Sequence, residues 1–143
     1  MAQDQTPEPP RLFGQEHVRR YLETAGAEGH DWQGVKTLIL FTTGSRSGEE
    51  RANPLIYGRD GDSLVVVASK GGAPSHPAWY VNLRHHPDVE AQVGAERRKL
   101  RARTATGAER QHLWGTMAAI WPAYDEYQTR TDREIPVVVL APS

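Results

Sequence analysis

The sequence predicts a mainly β, α+β fold, namely a small barrel of about six mostly antiparallel strands with helices packed against it. Six short segments rich in branched and aromatic residues alternate with turn residues. The 13 glycines and 10 prolines among 143 residues favour a fold with many turns over a helix bundle. The length is that of one domain, so we expect the strands to share a single core.

The N-terminal part predicts a tail followed by one helix. Residues 1–10 are polar and contain three prolines, so we expect a flexible tail, with residues 11–143 forming a single domain. Within residues 15–25, Val18, Tyr21 and Leu22 recur at helical spacing, which predicts an amphipathic helix packed on the sheet. The tail has no basic residue, so we expect neither a signal nor a transit peptide, and a cytoplasmic location is the default.

The next segments predict three strands joined by tight turns. Residues 37–43 read TLILFTT, and the glycine-flanked loop 44–48 leads to a second strand at 51–59. Pro54 in that strand indicates a sheet edge or a bulge. After an Asp-Gly hairpin turn, residues 64–69 (LVVVAS) are apolar on both faces, so we expect a central strand.

The second half predicts one hairpin between two helices and a last strand. Residues 78–84 indicate a short helix, and two alternating segments at 89–93 and 98–104 indicate a hairpin. An amphipathic helix follows at 108–120. The last strand is predicted at 135–140.

Composition excludes several classes of function. The chain has no cysteine, which excludes disulfides, thiolate nucleophiles and iron–sulfur clusters, and its histidines show no zinc-binding spacing, so we expect no metal. Apolar runs do not exceed five residues, far short of a membrane span of roughly 18, so we expect no stable membrane insertion. With a formal net charge of -1 we expect no nucleic-acid partner. One strand face is basic, and we expect it to be solvated, although it could attract a polyanion: Arg97, Lys99, Arg101 and Arg103.

Two loops could hold an anionic ligand, and each has a plainer interpretation. In the loop 44–48 and just after it, Arg46, Ser47 and Arg51 offer donors for a phosphate or carboxylate, or they are the solvated side chains of an ordinary hairpin loop. At the end of the central strand, Ser69-Lys70-Gly71-Gly72 lets the backbone approach a ligand closely, or it is a solvent-facing turn.

Two aromatic groups could accompany such a ligand. Trp79 and Tyr80 could wall a flat ring system, or they could be ordinary core residues. Trp121, Tyr124 and Tyr127 are spaced by three, so on a helical turn they would share one face. That face could cover a ligand and a tyrosine hydroxyl could donate a proton, or it could be a lid with no ligand beneath.

Three runs in this order and spacing resemble the deazaflavin-dependent nitroreductase family of actinobacteria: TTGSRSGEERANPL, VVVASKGGAPSHPAWYVNL and WPAYDEYQTRTDREIPVVVL. The resemblance covers roughly residues 35–142. It implies a split β-barrel, similar to the FMN-binding split barrels, that binds coenzyme F-420, an 8-hydroxy-5-deazaflavin with a phosphate and a polyglutamate tail. It further implies an F-420H2-dependent reductase of the nitroreductase or quinone reductase type, which transfers a hydride to a quinone, an enone or a nitroaromatic.

The resemblance also implies roles for individual residues. Arg46, Ser47 and Arg51 match a loop that holds the anionic part of the cofactor. Ser69 matches a serine that hydrogen-bonds the substrate, and Tyr124, or a water that it holds, would supply the proton. The pocket over the deazaflavin would be lined by Trp121, Tyr124 and Tyr127. The other cofactor-binding residues implied are Val67, Ala68, Ser69, Lys70, Ala78, Trp79, Tyr80, Asn82 and Tyr124.

Two positions depart from the family pattern. Ser45 stands where the family loop commonly has an arginine, which predicts a weaker hold on the polyglutamate tail. Trp121 replaces the first pocket tyrosine, which predicts a narrower pocket and weaker reduction of nitroimidazoles. An alternative function is a non-catalytic binding or carrier protein for F-420 or another flat anionic cofactor such as FMN or haem, since related split barrels bind those. We expect a monomer or a weak homodimer.

Overall fold

The computed structural model describes residues 12–143, so the predicted tail at residues 1–10 lies outside the described part of the chain. The helices are α1 (Gly14–Glu23), α2 (Ala78–His85), α3 (Gly107–Ile120) and α4 (Ala123–Thr129). The strands are β1 (Asp31–Trp32), β2 (Val35–Thr43), β3 (Glu50–Ile56), β4 (Gly58–Asp60), β5 (Ser63–Val67), β6 (Asp88–Val93), β7 (Glu96–Thr104) and β8 (Val137–Pro142).

The strands form one antiparallel sheet that curls on itself. The strand order is β3-β2-β6-β7-β8-β5-β4, and the short β1 pairs with the start of β2. The edge strands β3 and β4 are consecutive in the chain and are separated by Tyr57 alone. The two edge strands of the sheet must therefore lie beside each other. Because β3 and β4 form no backbone hydrogen-bond ladder, the barrel is not closed there, as expected for a split barrel. This confirms the predicted fold.

All six predicted strands form, with one change in the second. The segment predicted at 51–59 divides at Tyr57 into β3, which pairs with β2, and β4, which pairs with β5. Just after this point Gly58 passes close to α3, where an added Cβ would lie 2.7 Å from Met117 Sδ. Pro54 lies on an edge strand and β5 lies centrally, as predicted.

The alternation of strand side chains builds separate cores on the two faces of the sheet. Leu38, Leu64 and Trp79 of α2 belong to a buried cluster inside the barrel. Val65 faces the other way, into a cluster with Met117 of α3. Helix α1 covers the outer face of β2, near the edge of the inner core. Helix α2 thus enters the barrel, while α3 and α4 close it from outside.

The basic face of β7 is neutralised by carboxylates. Arg97 lies 2.6 Å from Glu50 and 2.7 Å from Glu90, and the other two arginines of this face pair with Asp88 and Glu109. These side chains are exposed, so each pair contributes little stability. The pairing leaves less of the positive field that would attract a polyanion. None of the helices between residues 12 and 143 is both long and apolar enough to span a bilayer.

Candidate functional site

Two cavities adjoin at one side of the barrel, and we call the pair the cleft. The inner cavity has a volume of about 560 Å³ and the outer one about 550 Å³. Both are lined by Asn53, Ala78 and Trp79, so they share one wall. The inner cavity brings together most of the predicted site residues, namely Val67, Ser69, Lys70, Ala78, Trp79, Trp121, Tyr124 and Tyr127. Four other predicted site residues line the outer cavity, namely Arg46, Ser47, Arg51 and Asn82.

The loop from Gly44 to Glu49 forms the polar wall of the outer cavity. Its backbone closes on itself, with Gly48 N donating to Gly44 O at 2.9 Å and Gly44 N donating to Glu49 O at 2.8 Å. A Cβ at position 44 would lie 2.5 Å from Ser47 Oγ, so a larger residue there would require the Ser47 side chain to move. Arg46 is exposed, and among residues 12–143 Arg51 forms one ion pair, with Glu49 at 3.3 Å. Both guanidinium groups can therefore turn toward an anion in the cavity.

Three predicted cofactor-binding residues are buried: Asn82, which also lines the outer cavity, Tyr80 and Ala68. The Asn82 side chain accepts from Ser45 N at 3.0 Å and donates to Thr42 Oγ1 at 3.2 Å. The first bond ties α2 to residues 44–51, which contain Arg46 and Arg51 and are called the arginine loop below. Tyr80 is buried, and its hydroxyl is bonded to Thr104 Oγ1 at 2.8 Å. Ala68 is fully buried. Neither Tyr80 nor Ala68 lines the two cavities, and a cofactor role for them stays a prediction.

The loop after β5 supplies Ser69 and Lys70 at the inner cavity. Lys70, Gly71 and Gly72 all have positive φ angles, of 46°, 63° and 84°. Glycine is required at position 72, where a Cβ would lie 2.6 Å from Tyr127 O. Lys70 is the strained one, because the left-handed region costs a non-glycine residue roughly 1–2 kcal/mol. Backbone strain of this kind is often found where a loop meets a ligand.

The three predicted aromatic residues line the opposite wall of the inner cavity together. Tyr124 and Tyr127 lie one turn apart on α4, with ring centroids 6.1 Å apart, as their spacing predicts. Trp121 follows the last residue of α3 in a non-helical conformation, so it lines the same cavity without belonging to their helical turn. Trp121 Nε1 lies 3.5 Å from the Tyr127 hydroxyl, which links the two ends of this wall.

Tyr124 is the most enclosed of these aromatics, with 4% of its surface exposed. Burial, and to a smaller extent Tyr127, raises the pKa of Tyr124 well above the ordinary value for tyrosine. Its hydroxyl therefore stays protonated throughout the neutral range. Such a group is a dependable hydrogen-bond donor and a weaker acid than a free tyrosine.

Sequence reasoning missed three residues that shape the cleft. Trp32 lines the inner cavity, packs 5.8 Å from the Trp121 ring, and donates from Nε1 to Leu12 O at 2.7 Å. His17 stacks on the other side of Trp32. Arg133 holds the carbonyls of the loop after β5. Trp32 lies in a glycine-broken stretch without periodicity, and the only signal for Arg133 is its place in the third family run.

Comparison with known proteins identifies the family. The family model described as F-420H2-dependent quinone reductase matches residues 13–142. The chain belongs to this quinone reductase family. Its enzyme class and its cofactor, coenzyme F-420, are therefore those that the resemblance implied. The family description names quinones, whereas enones and nitroaromatics are not named in it.

Individual members of the quinone reductase family cover most of this chain. An F-420H2-dependent quinone reductase of Mycobacterium tuberculosis is 40% identical over an alignment of 133 positions, and the match covers 87% of this chain and 86% of that protein. The structure of an F-420H2-dependent reductase is 41% identical, with a TM-score of 0.68 over 73% of this chain and 92% of that one. A structure described as a domain-swapped dimer is 38% identical, with a TM-score of 0.72 over 88% and 95%.

The cleft fits the cofactor of the quinone reductase family in size and in chemistry. Each cavity lies in the range of roughly 300–1,000 Å³ that is usual for small-molecule sites. The outer cavity offers two arginines and two serines, which suit a phosphate or carboxylates. The inner cavity is walled by Val67, Trp79 and the three aromatics, which suit a flat ring.

Proposed function

We propose that this chain binds F-420H2 along the cleft and transfers a hydride to a quinone, and also to enones or nitroaromatics, in the inner cavity. The observation that carries the proposal is the shared wall of the two cavities. An anionic tail in the outer cavity and a flat ring in the inner one can then belong to one molecule. A substrate above the ring would meet Ser69, Tyr124 and Tyr127.

The polar residues of the cleft would hold the cofactor by its charge. Arg46 and Arg51 would bind the anionic tail, and Ser47 would add a hydroxyl donor. Lys70 lines the inner cavity, and its ammonium, which donates to Ser75 Oγ at 3.3 Å, would turn to meet the phosphate. The ring would lie against the apolar end of β5 at Val67 and against Trp79.

The residues of the inner cavity would stabilise the transition state of the substrate. Reduced F-420, when bound, supplies the hydride. The Ser69 hydroxyl would donate a hydrogen bond to the carbonyl or nitro oxygen on which negative charge develops. Because its raised pKa makes Tyr124 a weak acid, we propose that its hydroxyl holds a water that delivers the proton. The aromatic wall would exclude bulk water and keep the reactants oriented.

A binding and turnover experiment tests this proposal and the carrier alternative together. The purified protein is titrated into F-420 while the cofactor's fluorescence is followed, with FMN and haem added as competitors. We expect saturable binding of F-420 that neither competitor displaces, followed by oxidation of F-420H2 when menadione, a cyclic enone or a nitroaromatic is added. Tight F-420 binding without oxidation by any of the three acceptors would support the carrier, and preferential retention of FMN or haem would contradict the cofactor.

The assembly of the protein is also part of the proposal. We propose a monomer or a weak homodimer, and the relative described as a domain-swapped dimer marks the exchange of an element as the competing arrangement. Sedimentation velocity over a range of concentrations separates a concentration-dependent weak dimer from a persistent swapped one. A cytoplasmic location stays a prediction.

A further inference from the structure

Arg133, in the segment between α4 and β8, binds three carbonyl groups of a single loop. Its Nε donates to Ala73 O at 2.8 Å, its Nη1 to Ala68 O at 3.2 Å and its Nη2 to Ser69 O at 2.7 Å. These carbonyls belong to the chain that leaves β5 and forms the edge of the inner cavity. One planar guanidinium therefore holds both ends of that turn.

The fourth partner of Arg133 is an imidazole. Arg133 Nη1 lies 3.0 Å from His76 Nδ1. A guanidinium can only donate, so Nδ1 must accept and carry no proton. No carboxylate between residues 12 and 143 forms an ion pair with Arg133. Arg133 therefore donates hydrogen bonds only to uncharged groups of this loop among the described residues. Such contacts hold the loop in one conformation.

The loop needs such support because its own backbone is unfavourable. Lys70 adopts a left-handed conformation that a lysine seldom takes, and two more left-handed residues follow. Two internal hydrogen bonds close the turn, from Gly72 N to Ser69 O at 2.9 Å and from Ala73 N to Lys70 O at 3.1 Å. The carbonyls of Ala68 and Ser69 are turned out of the sheet, and Arg133 supplies the donors that replace a neighbouring strand.

We infer that Arg133 is a positioning residue, whose guanidinium fixes the loop from Ser69 to His76 so that the Ser69 hydroxyl and the Lys70 ammonium stay at the inner cavity. The importance of this for turnover rests on the proposed function, since it assigns Ser69 to the substrate and Lys70 to the cofactor. Lysine cannot replace this arginine, because a single ammonium cannot span carbonyls on both ends of the turn.

The first test uses the protein without cofactor and compares Arg133→Ala with a matched control, Arg110→Ala. Arg110 is also partly buried and also donates to a carbonyl, that of Ile135 at 2.7 Å, but it does not contact the loop. We expect amide hydrogen exchange within residues 69–76 to become about tenfold faster or more in Arg133→Ala only, as for local opening of one segment. If Arg133→Ala does not fold, Arg133→Lys takes its place with the same expected result.

The second test measures turnover and its chemical rescue. In Arg133→Ala we expect kcat with F-420H2 and menadione to fall about tenfold or more, since small misplacements in an active site cost this much. Added guanidinium at a non-denaturing concentration should restore part of kcat, whereas an equal concentration of sodium chloride should not. Arg110→Ala should keep its kcat and show no rescue.

The outcomes separate this inference from the proposed function. Exchange in residues 69–76 that is equally fast in both alanine variants would overturn the inference, as would a kcat loss that guanidinium does not restore. A wild-type protein that neither binds F-420 nor oxidises F-420H2 would overturn the proposed function. If amide exchange in residues 69–76 is still faster in Arg133→Ala than in Arg110→Ala, the positioning of the loop by Arg133 remains supported.

Discussion

Two hydroxyl groups of the inner cavity lie in contrasting surroundings. Ser69 lies in the loop that follows β5 and is partly exposed, while Tyr124 of α4 is buried in the cluster that contains Met117 of α3. Burial raises the pKa of Tyr124, so its hydroxyl donates hydrogen bonds and does not ionise. The roles proposed for the two residues follow from this difference. Ser69 would donate a hydrogen bond to the oxygen on which negative charge develops, and Tyr124 would hold the water that delivers the proton.

Removing either hydroxyl should therefore impair turnover more than cofactor binding. We expect Ser69→Ala and Tyr124→Phe each to lower kcat about tenfold to a hundredfold, the lower part of the range for lost oxyanion donors and general acids. The F-420 dissociation constant should change less than threefold, roughly 0.6 kcal/mol. Steady-state kinetics and fluorescence titration give the two quantities.

Tyr57→Phe is the control for this pair, because Tyr57 is a buried tyrosine of the barrel that lines neither cavity. Its kcat should match the wild type. Equal losses of kcat and of F-420 affinity in Ser69→Ala or Tyr124→Phe would argue that the residue holds the cofactor and not the substrate.

Trp121 should restrict the size of the substrate. Its ring packs against Trp32 across the cavity mouth, with centroids 5.8 Å apart. Trp121→Tyr removes ring volume and adds a hydroxyl, so we expect kcat/KM for a nitroimidazole to rise several-fold relative to that for menadione. The ratio of the two specificity constants is the measurement. An unchanged ratio would mean that Trp121 does not limit access.

At the scale of single residues, the sequence predicted the site only where a local pattern or a family run marked it. The spacing by three correctly predicted a shared helical turn for Tyr124 and Tyr127, whereas Trp121 reaches the same cavity from the non-helical link between α3 and α4. Trp32 and Arg133 act through contacts with residues that are distant in the chain, Trp121 and the Ser69 carbonyl. No local pattern encodes such contacts, and only the fold brings them together.

At the scale of elements, the arginine loop is the part of the cleft that should set cofactor affinity. We expect Arg46→Ala and Arg51→Ala each to weaken F-420 binding several-fold at low salt, since charge-assisted hydrogen bonds to an anion are lost. The dissociation constant of the wild type should rise with salt, and that of the variants should rise less, because salt screens exposed charges. Arg101→Ala, on the far face of the sheet and paired with Asp88, is the control and should bind as the wild type does.

Ser45→Arg should have the opposite effect on the same loop. Only the backbone nitrogen of Ser45 is engaged, by Asn82, so its side chain can be exchanged without breaking that contact. An added cation should tighten the binding of F-420 with a long polyglutamate tail several-fold, and that of tail-free F-420 much less. Equal gains for both forms would contradict a tail-binding role.

Helices and strands were predictable where the hydrophobic periodicity is strong. They were less predictable where pairing with another strand determines whether a strand forms and where it ends. The apolar strand β5 and the hairpin β6–β7 follow from their patterns. The two-residue strand β1 exists only because it pairs with Val35 and Lys36, and the division of the second strand at Tyr57 follows from closure of the barrel. Helix α4 was expected only as an aromatic helical turn because its sequence is mostly polar.

At the scale of the whole molecule, the buried His17 and the partly buried His76 connect stability to pH. Desolvation, with Arg133 and Arg84 nearby, lowers the pKa of His76, and desolvation lowers the pKa of His17. The unfolded chain then binds protons that the folded protein does not, starting near the ordinary pKa of 6.5. The stability associated with neutral histidines is complete above that pH and is lost as the pH falls toward the lower folded-state values.

We therefore expect the melting temperature to decrease as the pH is lowered below about 6.5, the ordinary histidine value. His76→Gln retains an oxygen that can accept from Arg133 but does not titrate, so its decrease should be smaller than that of the wild type. Thermal unfolding of both proteins between neutral and mildly acidic pH measures the difference. Parallel curves would show that His76 does not contribute to the acid sensitivity.

The central claim is that one cleft holds F-420H2 and a quinone together for hydride transfer. A single-turnover experiment under anaerobic conditions tests it most directly, with the protein in excess over F-420H2 and menadione added last. The account predicts that F-420H2 is oxidised to F-420 in one fast phase, with one quinol formed per cofactor. This phase should be slower in Tyr124→Phe and unchanged in Tyr57→Phe. Reoxidation no faster than in the absence of protein, although F-420H2 is bound, would contradict it.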